Sequence, residues 1–379
     1  TGIMTSAISN QKGVALITTL AVVAILLAAG IQVGRMTGDS ALRTRVETSQ
    51  VQIRELALSG IHLGMFILAR DGADNEIDSI QESWADPETI ALVQEAAGLP
   101  PDQVRIRIED ERGKIQLNSL LTRFPGNEAN PSATQLLERF LSLGRDSGQE
   151  TASARPVEIV NAVKDWLDSS DGEAITGLTG AENRYYQSLE PPVSCANGPF
   201  NHLAELFRVK GVAPDLLSSD FTGLAPGNVS GPGRSAPETL RPFFTVYGMD
   251  PETTEAGRFV FSGKININTA PLPVLQALMP EGRELEAETV ADFRTARSDS
   301  DSAYSNDLSG GWLSRAIELS QEEKTTIAGL VTYSSDTFRI TCHARKNQAA
   351  AALSAVVLRE KAKESGKTVC RIIQMEEVI

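Results

Sequence analysis

From Val14 to Val33 the chain runs for twenty residues of mostly Val, Ala, Ile and Leu without a single charge. A helix rises about 1.5 Å per residue, so this run reaches about 30 Å, the thickness of a bilayer's hydrocarbon core. It predicts a transmembrane helix over residues 14–33, and the remainder of the chain must fold beside or beyond a membrane. Residues 1–13 are mostly small and polar and end in Gln11-Lys12-Gly13, with one positive charge beside the apolar stretch. They read as a cytoplasmic leader, too short to fold.

Three processing fates suit this arrangement. A secretory signal is cut after its apolar run, here at small residues such as Ala28-Ala29-Gly30. An anchor stays uncut. A cut between Gly13 and Val14 removes the leader and leaves the run as the N-terminus. Two features favour the last. The run is longer than the roughly 7–15 residues of a cleavable signal's core, and helical periodicity continues past Arg35. Leu42, Val46, Ile53, Leu56, Ala57, Ile61 and Met65 form one apolar stripe, opposite Arg43, Arg45, Glu47, Gln50, Gln52, Arg54 and Glu55. This predicts an amphipathic stalk helix over residues 34–70. A membrane helix that continues as an amphipathic helix and docks on a globular domain resembles the plan of type IV pilin-like proteins.

The 379 residues leave room for one elaborated domain or two beyond the stalk, and 41% hydrophobic content is ample for a core. A formal net charge of −14 argues against nonspecific nucleic-acid binding, which needs positive charge to displace counterions. Three cysteines, Cys195, Cys342 and Cys370, are too few for a disulfide framework. Either Cys342 and Cys370, both in predicted C-terminal strands, form a pair, or all three are buried thiols. His62, His202 and His343 show no metal-ligand spacing and flank no nucleophile, and no Gly-rich phosphate loop follows a strand. Nothing selects an enzymatic role.

After the stalk, a short helical pattern over 88–97 is stopped by Gly98-Leu99-Pro100-Pro101. Val104, Ile106 and Ile108 then alternate with Arg105, Arg107 and Glu109, and Glu111-Arg112-Gly113 turns into Lys114-Ile115-Gln116-Leu117. This predicts a β-hairpin supplying the first two strands of a sheet packed on the stalk. Helical periodicity takes over at 132–143, 156–167 and 201–207, and strand alternation returns at 338–342, 352–358 and 368–373. The pattern predicts an α+β fold. A long N-terminal helix packs on an antiparallel sheet built from residues 71–118 and 336–379, and a mostly helical domain, residues 119–335, is inserted between the strands.

The inserted part echoes its surroundings. Gly113-Lys114-Ile115-Gln116-Leu117-Asn118 and Gly263-Lys264-Ile265-Asn266-Ile267-Asn268 share one form, each followed by a helical segment. The expected roles are a turn at Gly, a short strand, and an Asn whose side chain caps free N–H groups at the helix start. Residues 263–295 also resemble the opening of a helix-hairpin-helix module, which makes a membrane-anchored DNA receptor the alternative function. The connection Met279 to Glu286, however, has one glycine and three glutamates against one arginine, which repels phosphate.

Asp165-Trp166-Leu167-Asp168-Ser169-Ser170-Asp171-Gly172-Glu173, followed by Gly180-Ala181-Glu182-Asn183 and Tyr185-Tyr186, is the candidate binding segment. Hard oxygen donors on a Gly-containing loop suit calcium. Equally, Asp168 and Asp171 suit the plain task of ending one helix and starting the next element.

In order and content these segments resemble the minor pseudopilin K family of type II secretion systems. Most pilins and pseudopilins carry a glutamate fifth after the cleavage point; counting from Val14 that position is Thr18, and the K family is the branch without the glutamate. Glu190-Pro191-Pro192, Ala196 to Phe200 and Arg241 to Gly248 extend the likeness, which runs from Lys12 to the last strands. The resemblance implies cleavage between Gly13 and Val14 by prepilin peptidase. It implies a single-pass anchor in the bacterial inner membrane with the globular domain in the periplasm. It also implies assembly with minor pseudopilins I and J at the tip of a pseudopilus built from the major pseudopilin, where Thr18 requires no neighbouring amine. For the acidic segment it implies calcium, with Asp168 and Glu182 as ligands. Ser170 stands at the family's second aspartate position, with Asp171 one place on as the third ligand.

Overall fold

The computed structural model describes residues 11–143, 155–170, 175–212, 239–250, 257–298, 303–347 and 349–378, with side chains from 14–36 and from 48 onward. One helix dominates it. Helix α1, Gln11–Asp74, is continuous over 64 residues, about 96 Å. Between Val14 and Met36 its side chains are all exposed and apolar enough to cross a membrane. The second apolar stretch of the same helix, Thr48–Asp74, lies instead against a sheet.

The buried stripe of α1 is Ile53, Ala57, Gly60, Ile61, Gly64, Ile67 and Leu68. Leu56 and Met65, expected within the stripe, lie half-buried at its margins. The centre belongs to the two glycines. A Cβ on Gly60 would overlap Cys342 Sγ, and one on Gly64 would stand 2.7 Å from Ile340 Cγ2. Helix and sheet approach this closely only because both residues lack side chains.

After α2 (Pro87–Ala96), capped by Asp86, strand β1 (Val104–Asp110) opens the sheet. Its even-numbered residues face α1 and its odd-numbered ones face outward, as period-two alternation requires. The rest of the sheet comes from the other end of the chain: β6 (Thr337–Lys346), β7 (Ala349–Lys361) and β8 (Thr368–Glu377). The order is β1-β6-β7-β8, all antiparallel, with Val104 opposite Ala344, Asp110 opposite Phe338 and Cys342 opposite Leu353. Val104, Ile106, Ile108, Phe338, Ile340, Leu353, Ala355 and Val357 close one core with α1 and Trp84.

The expected hairpin between β1 and the Lys114–Leu117 segment does not form. Strand β2 (Ile115–Gln116) pairs in parallel with β3 (Phe244–Thr245), inside the second core. Ile115 is apolar and buried there, whereas β1 gains a ten-residue partner in β6, so the short segment crosses to the inserted part. That part contains helices α3 (Pro131–Leu143), α4 (Pro156–Leu167), α5 (Asn183–Gln187), α6 (Leu272–Leu278), α7 (Glu286–Thr295), α8 (Leu313–Ala316) and α9 (Gln321–Leu330). The expected helix over 201–207 is a 3-10 helix, Leu203–Arg208. Its core is distinct and larger, with Phe124, Phe140, Trp166, Tyr186, Phe243 and Trp312 fully buried.

The two Gly-Lys-Ile segments are structural equivalents. Strand β4 (Ile265–Asn266) pairs in parallel with β5 (Val331–Thr332), as β2 pairs with β3. In each, the fourth residue's side chain accepts the N–H of the final Asn: Gln116 Oε1 from Asn118 at 2.9 Å, Asn266 Oδ1 from Asn268 at 3.1 Å. Each Asn then donates to the carbonyl just past its partner strand, Val246 at 3.1 Å or Tyr333 at 3.4 Å. The expected helix caps are therefore cross-braces. Asn118 accepts from Phe200 N and Asn268 from Trp312 Nε1, both remote in sequence.

The cysteines are all free. Cys342 lies opposite Leu353 on β7 and Cys370 opposite Arg359, six residues farther along the same strand. With β7 between them and about 20 Å of strand rise separating them, no Cys342–Cys370 bridge can close.

Candidate metal centre

Helix α4 begins with Pro156 at its first position and buries Ile159, Val160, Ala162, Val163, Trp166 and Leu167 on a face of helical period. Asp165 falls on that buried face and Asp168 ends the helix one turn later. The three-residue spacing places both carboxylates on the same side. The chain returns through Gly177, in the left-handed region at φ +61°, and Gly180, and delivers Glu182 just before α5. Asp165, Asp168 and Glu182 are all buried, and each has a carboxylate oxygen within 4.8 Å of the other two.

Several contacts hold this geometry. Both oxygens of Asp165 accept from Thr176 N, at 3.1 and 3.2 Å. A Cβ on Gly180 would overlap Asp165 Oδ2, so the loop reaches the carboxylate because position 180 is glycine. Asp168 Oδ1 accepts from Ser170 N at 2.9 Å. The nearby Lys164 ammonium donates to Thr176 Oγ1 at 3.2 Å. Burial, and then the neighbouring Asp165 charge, raise the Asp168 carboxyl above its usual range.

Three carboxylates drawn together out of water form an all-oxygen donor set, without His or Cys. That set fits a hard divalent cation such as calcium rather than zinc. Of the expected ligands, Asp168 and Glu182 are brought together, and Asp171 lies outside the described residues. Asp165 is not among the expected ligands. Its spacing from Asp168 on a helix is the available signal, and its place on an otherwise apolar face makes it resemble a buried structural residue.

Val14 is exposed, and Gly13 lies within α1. Thr18 Oγ1 donates to Ala15 O at 2.9 Å, so its hydroxyl is satisfied within its own helix. In the segment that resembles a helix-hairpin-helix, the connection between α6 and α7 has Gly282 at φ +78°. Its arginine, Arg283, is engaged by Glu286 at 2.7 Å and Glu323 at 2.9 Å and is not presented to a phosphate.

Residues 113–219, which include this acidic cluster, match the family model described as type II secretion system (T2SS), protein K. The type II secretion system protein K of Pseudomonas aeruginosa is 29% identical over 297 residues, covering 75% of this chain and 73% of that protein. That of Pectobacterium carotovorum subsp. carotovorum is 26% identical over 211 residues, 55% of this chain and 60% of that protein. Among solved structures, a chain in the crystal structure of the GspK-GspI-GspJ complex from the enterotoxigenic Escherichia coli type 2 secretion system has the same fold. The TM-score is 0.57 at 15% identity, over 89% of this chain and 99% of that chain.

Proposed function

We propose that this chain, which is similar to type II secretion system protein K in sequence, is a minor pseudopilin of that family and caps a pseudopilus in complex with minor pseudopilins I and J. The observation that carries this reading is α1. It runs without a break from an exposed, membrane-length apolar segment into a helix docked on a four-stranded sheet, and a second core is inserted between β1 and β6. An exposed apolar helix suits lateral packing in a membrane and then in a filament. The inserted domain adds a bulk that stacked subunits of a narrow filament cannot accommodate, which suits the tip and a role in export across the outer membrane. Thr18 supports the same position, because an intramembrane carboxylate would call for a partner in the next subunit and a hydroxyl bonded within its own helix does not.

Prepilin peptidase cutting between Gly13 and Val14 would release the helix from its leader and leave the chain anchored in the inner membrane with its two cores in the periplasm, on top of the major pseudopilin. Calcium bound by Asp165, Asp168 and Glu182 would tie α4 to the loop before α5 and so brace the inserted domain. Its role is structural.

N-terminal sequencing of the protein from membranes, with and without prepilin peptidase, tests the reading. A peptidase-dependent start at Val14, together with co-purification of the I and J subunits, is the expected result. An uncut chain or a start after Gly30 would overturn it.

A further inference from the structure

Residues 75–86 are wedged between the two cores. Toward the sheet, Asp78 takes the Arg359 guanidinium of β7 at 2.6 and 2.7 Å, and the same guanidinium reaches Asp71 on α1 at 3.0 Å. Toward the inserted domain, Asp78 N donates to Tyr333 O at 2.9 Å and Asp78 O accepts from Asn266 Nδ2 at 3.0 Å. Gln81 Nε2 donates to Arg294 O at 2.8 Å, and Ile80 O accepts from the Tyr304 hydroxyl. Asn266 Nδ2 also donates to Asp110 at the end of β1, at 2.9 Å. There it is joined by the Thr269 and Ser335 hydroxyls, both at 2.6 Å. Ser335 bridges the two acids, because its N–H donates to Asp78. One polar knot therefore fastens the stalk, the sheet, both chain crossings and the inserted domain.

Its charges do not balance. Asp71, Asp78 and Glu82 each bring a carboxylate oxygen within 4.8 Å of the other two, and Asp110 lies behind Ser335. Asp74 adds a further negative charge from α1. Against these acids stands Arg359. Arg112, on the crossing after β1, is engaged by Asp336 at 2.6 Å, and Arg294 of α7 turns its guanidinium to the Ile267 carbonyl. Glu82 itself is held by neutral donors: Ser79 N at 3.0 Å, Trp84 Nε1 at 2.7 Å, and the Asn75 amide. Any proton taken up to relieve the repulsion therefore falls most readily on Glu82.

We propose that residues 75–86 form a proton-operated latch, in which protonation of Glu82 seats the segment between the two domains and loss of that proton loosens the inserted domain's hold on the stalk. Burial, with Asp71 beside it, raises the Glu82 carboxyl from 4.5 to about 7. The folded form thus holds the proton more tightly than the unfolded chain. Seating is strongest in mild acid, weakens as the pH rises from about 4.5 toward 7, and is level above that.

The test is hydrogen exchange on the full chain in detergent micelles at about pH 5.5 and about pH 8, with rates corrected for the intrinsic effect of pH. Peptides over residues 75–86 and 263–270 should lose about tenfold in protection at the higher pH. Glu82→Gln, which is isosteric and neutral, should keep the low-pH protection at both values. Asp71→Asn, which removes a neighbouring charge, should shrink the pH dependence and serves as a second readout if Glu82→Gln folds poorly. Protection in the unaltered protein that does not change with pH, or a pH dependence that survives either substitution unchanged, would overturn the proposal.

Discussion

Glu111 stands where the chain leaves β1 for the inserted domain, almost fully buried, between Lys114 Nζ at 2.9 Å and Arg339 Nε at 2.7 Å. Replacing it by glutamine keeps its shape and removes the charge between two buried cations, leaving Arg339 only the longer contact to Glu376 at 3.6 Å. Burial alone would raise its carboxyl, but Arg339 and Lys114 together hold it down, from 4.5 to about 2. At about 1.4 kcal/mol per pK unit, this ionised contact contributes about 3 kcal/mol near neutral pH. Breaking one partner of a buried ion pair costs about 3–5 kcal/mol by an independent measure, so the two magnitudes agree. The sign follows from a folded value below the unfolded one: the stabilisation is complete above about pH 4.5 and lost as pH falls toward 2. Urea denaturation of the full chain, followed by fluorescence of Trp84, Trp166 and Trp312, should show Glu111→Gln less stable by that amount near pH 7. The difference should shrink as the pH drops. Equal stability at neutral pH, or a difference unchanged in acid, would refute the reasoning.

Gly60→Ala should lower the thermal midpoint. Overpacking against Cys342 costs about 1–3 kcal/mol, more than the roughly 1 kcal/mol that alanine gains in helix propensity; an unchanged midpoint would show that the helix can back away from the sheet. Asp168→Asn and Gly180→Ala should each weaken calcium binding in calorimetric titration, the first by removing a charge and the second by forcing the loop off Asp165. In the unaltered protein, calcium at about 100 times its dissociation constant should add about 2.7 kcal/mol of stability, a gain that both variants lose. Burial pushes the Cys342 thiol up to about 12, so a thiol reagent should label it only after unfolding. Rapid labelling at Cys342 itself in the native protein, read by peptide mapping apart from the half-buried Cys370, would contradict its place under α1.

Much of the architecture is legible in the chain because it rests on local periodicity. The continuous α1, the helices at Pro131–Leu143 and Pro156–Leu167, and the strands around Phe338, Ala352 and Thr368 all reflect which side chains repeat at 3.6 or 2 residues. The Lys114–Leu117 segment marks the limit of such patterns. Its alternation suits a strand, but alternation does not choose a partner, and the segment pairs with Phe244, 129 residues after Ile115. Glycine is illegible for a related reason. Gly60 and Gly64 break an apolar stripe on paper, yet they mark the line along which the sheet comes closest.

The acidic site divides in the same way. Composition and order alone identify an oxygen-rich loop after α4 and, through the likeness to a family, Asp168 and Glu182 as its carboxylates. That Asp165 joins them, and that Gly180 must be glycine for it to do so, depends on a return of the chain that no short-range pattern encodes. Residue order is enough for the membrane-length apolar helix, the stalk that continues it, the kinds of element and their succession, because each is set by neighbours a few residues apart. Folding alone settles which strand meets which, which carboxylates share a site, and how Asp78, Asp110, Asn266 and Arg359 knot two cores together, because burial makes distant residues compete for the same few hydrogen-bond partners.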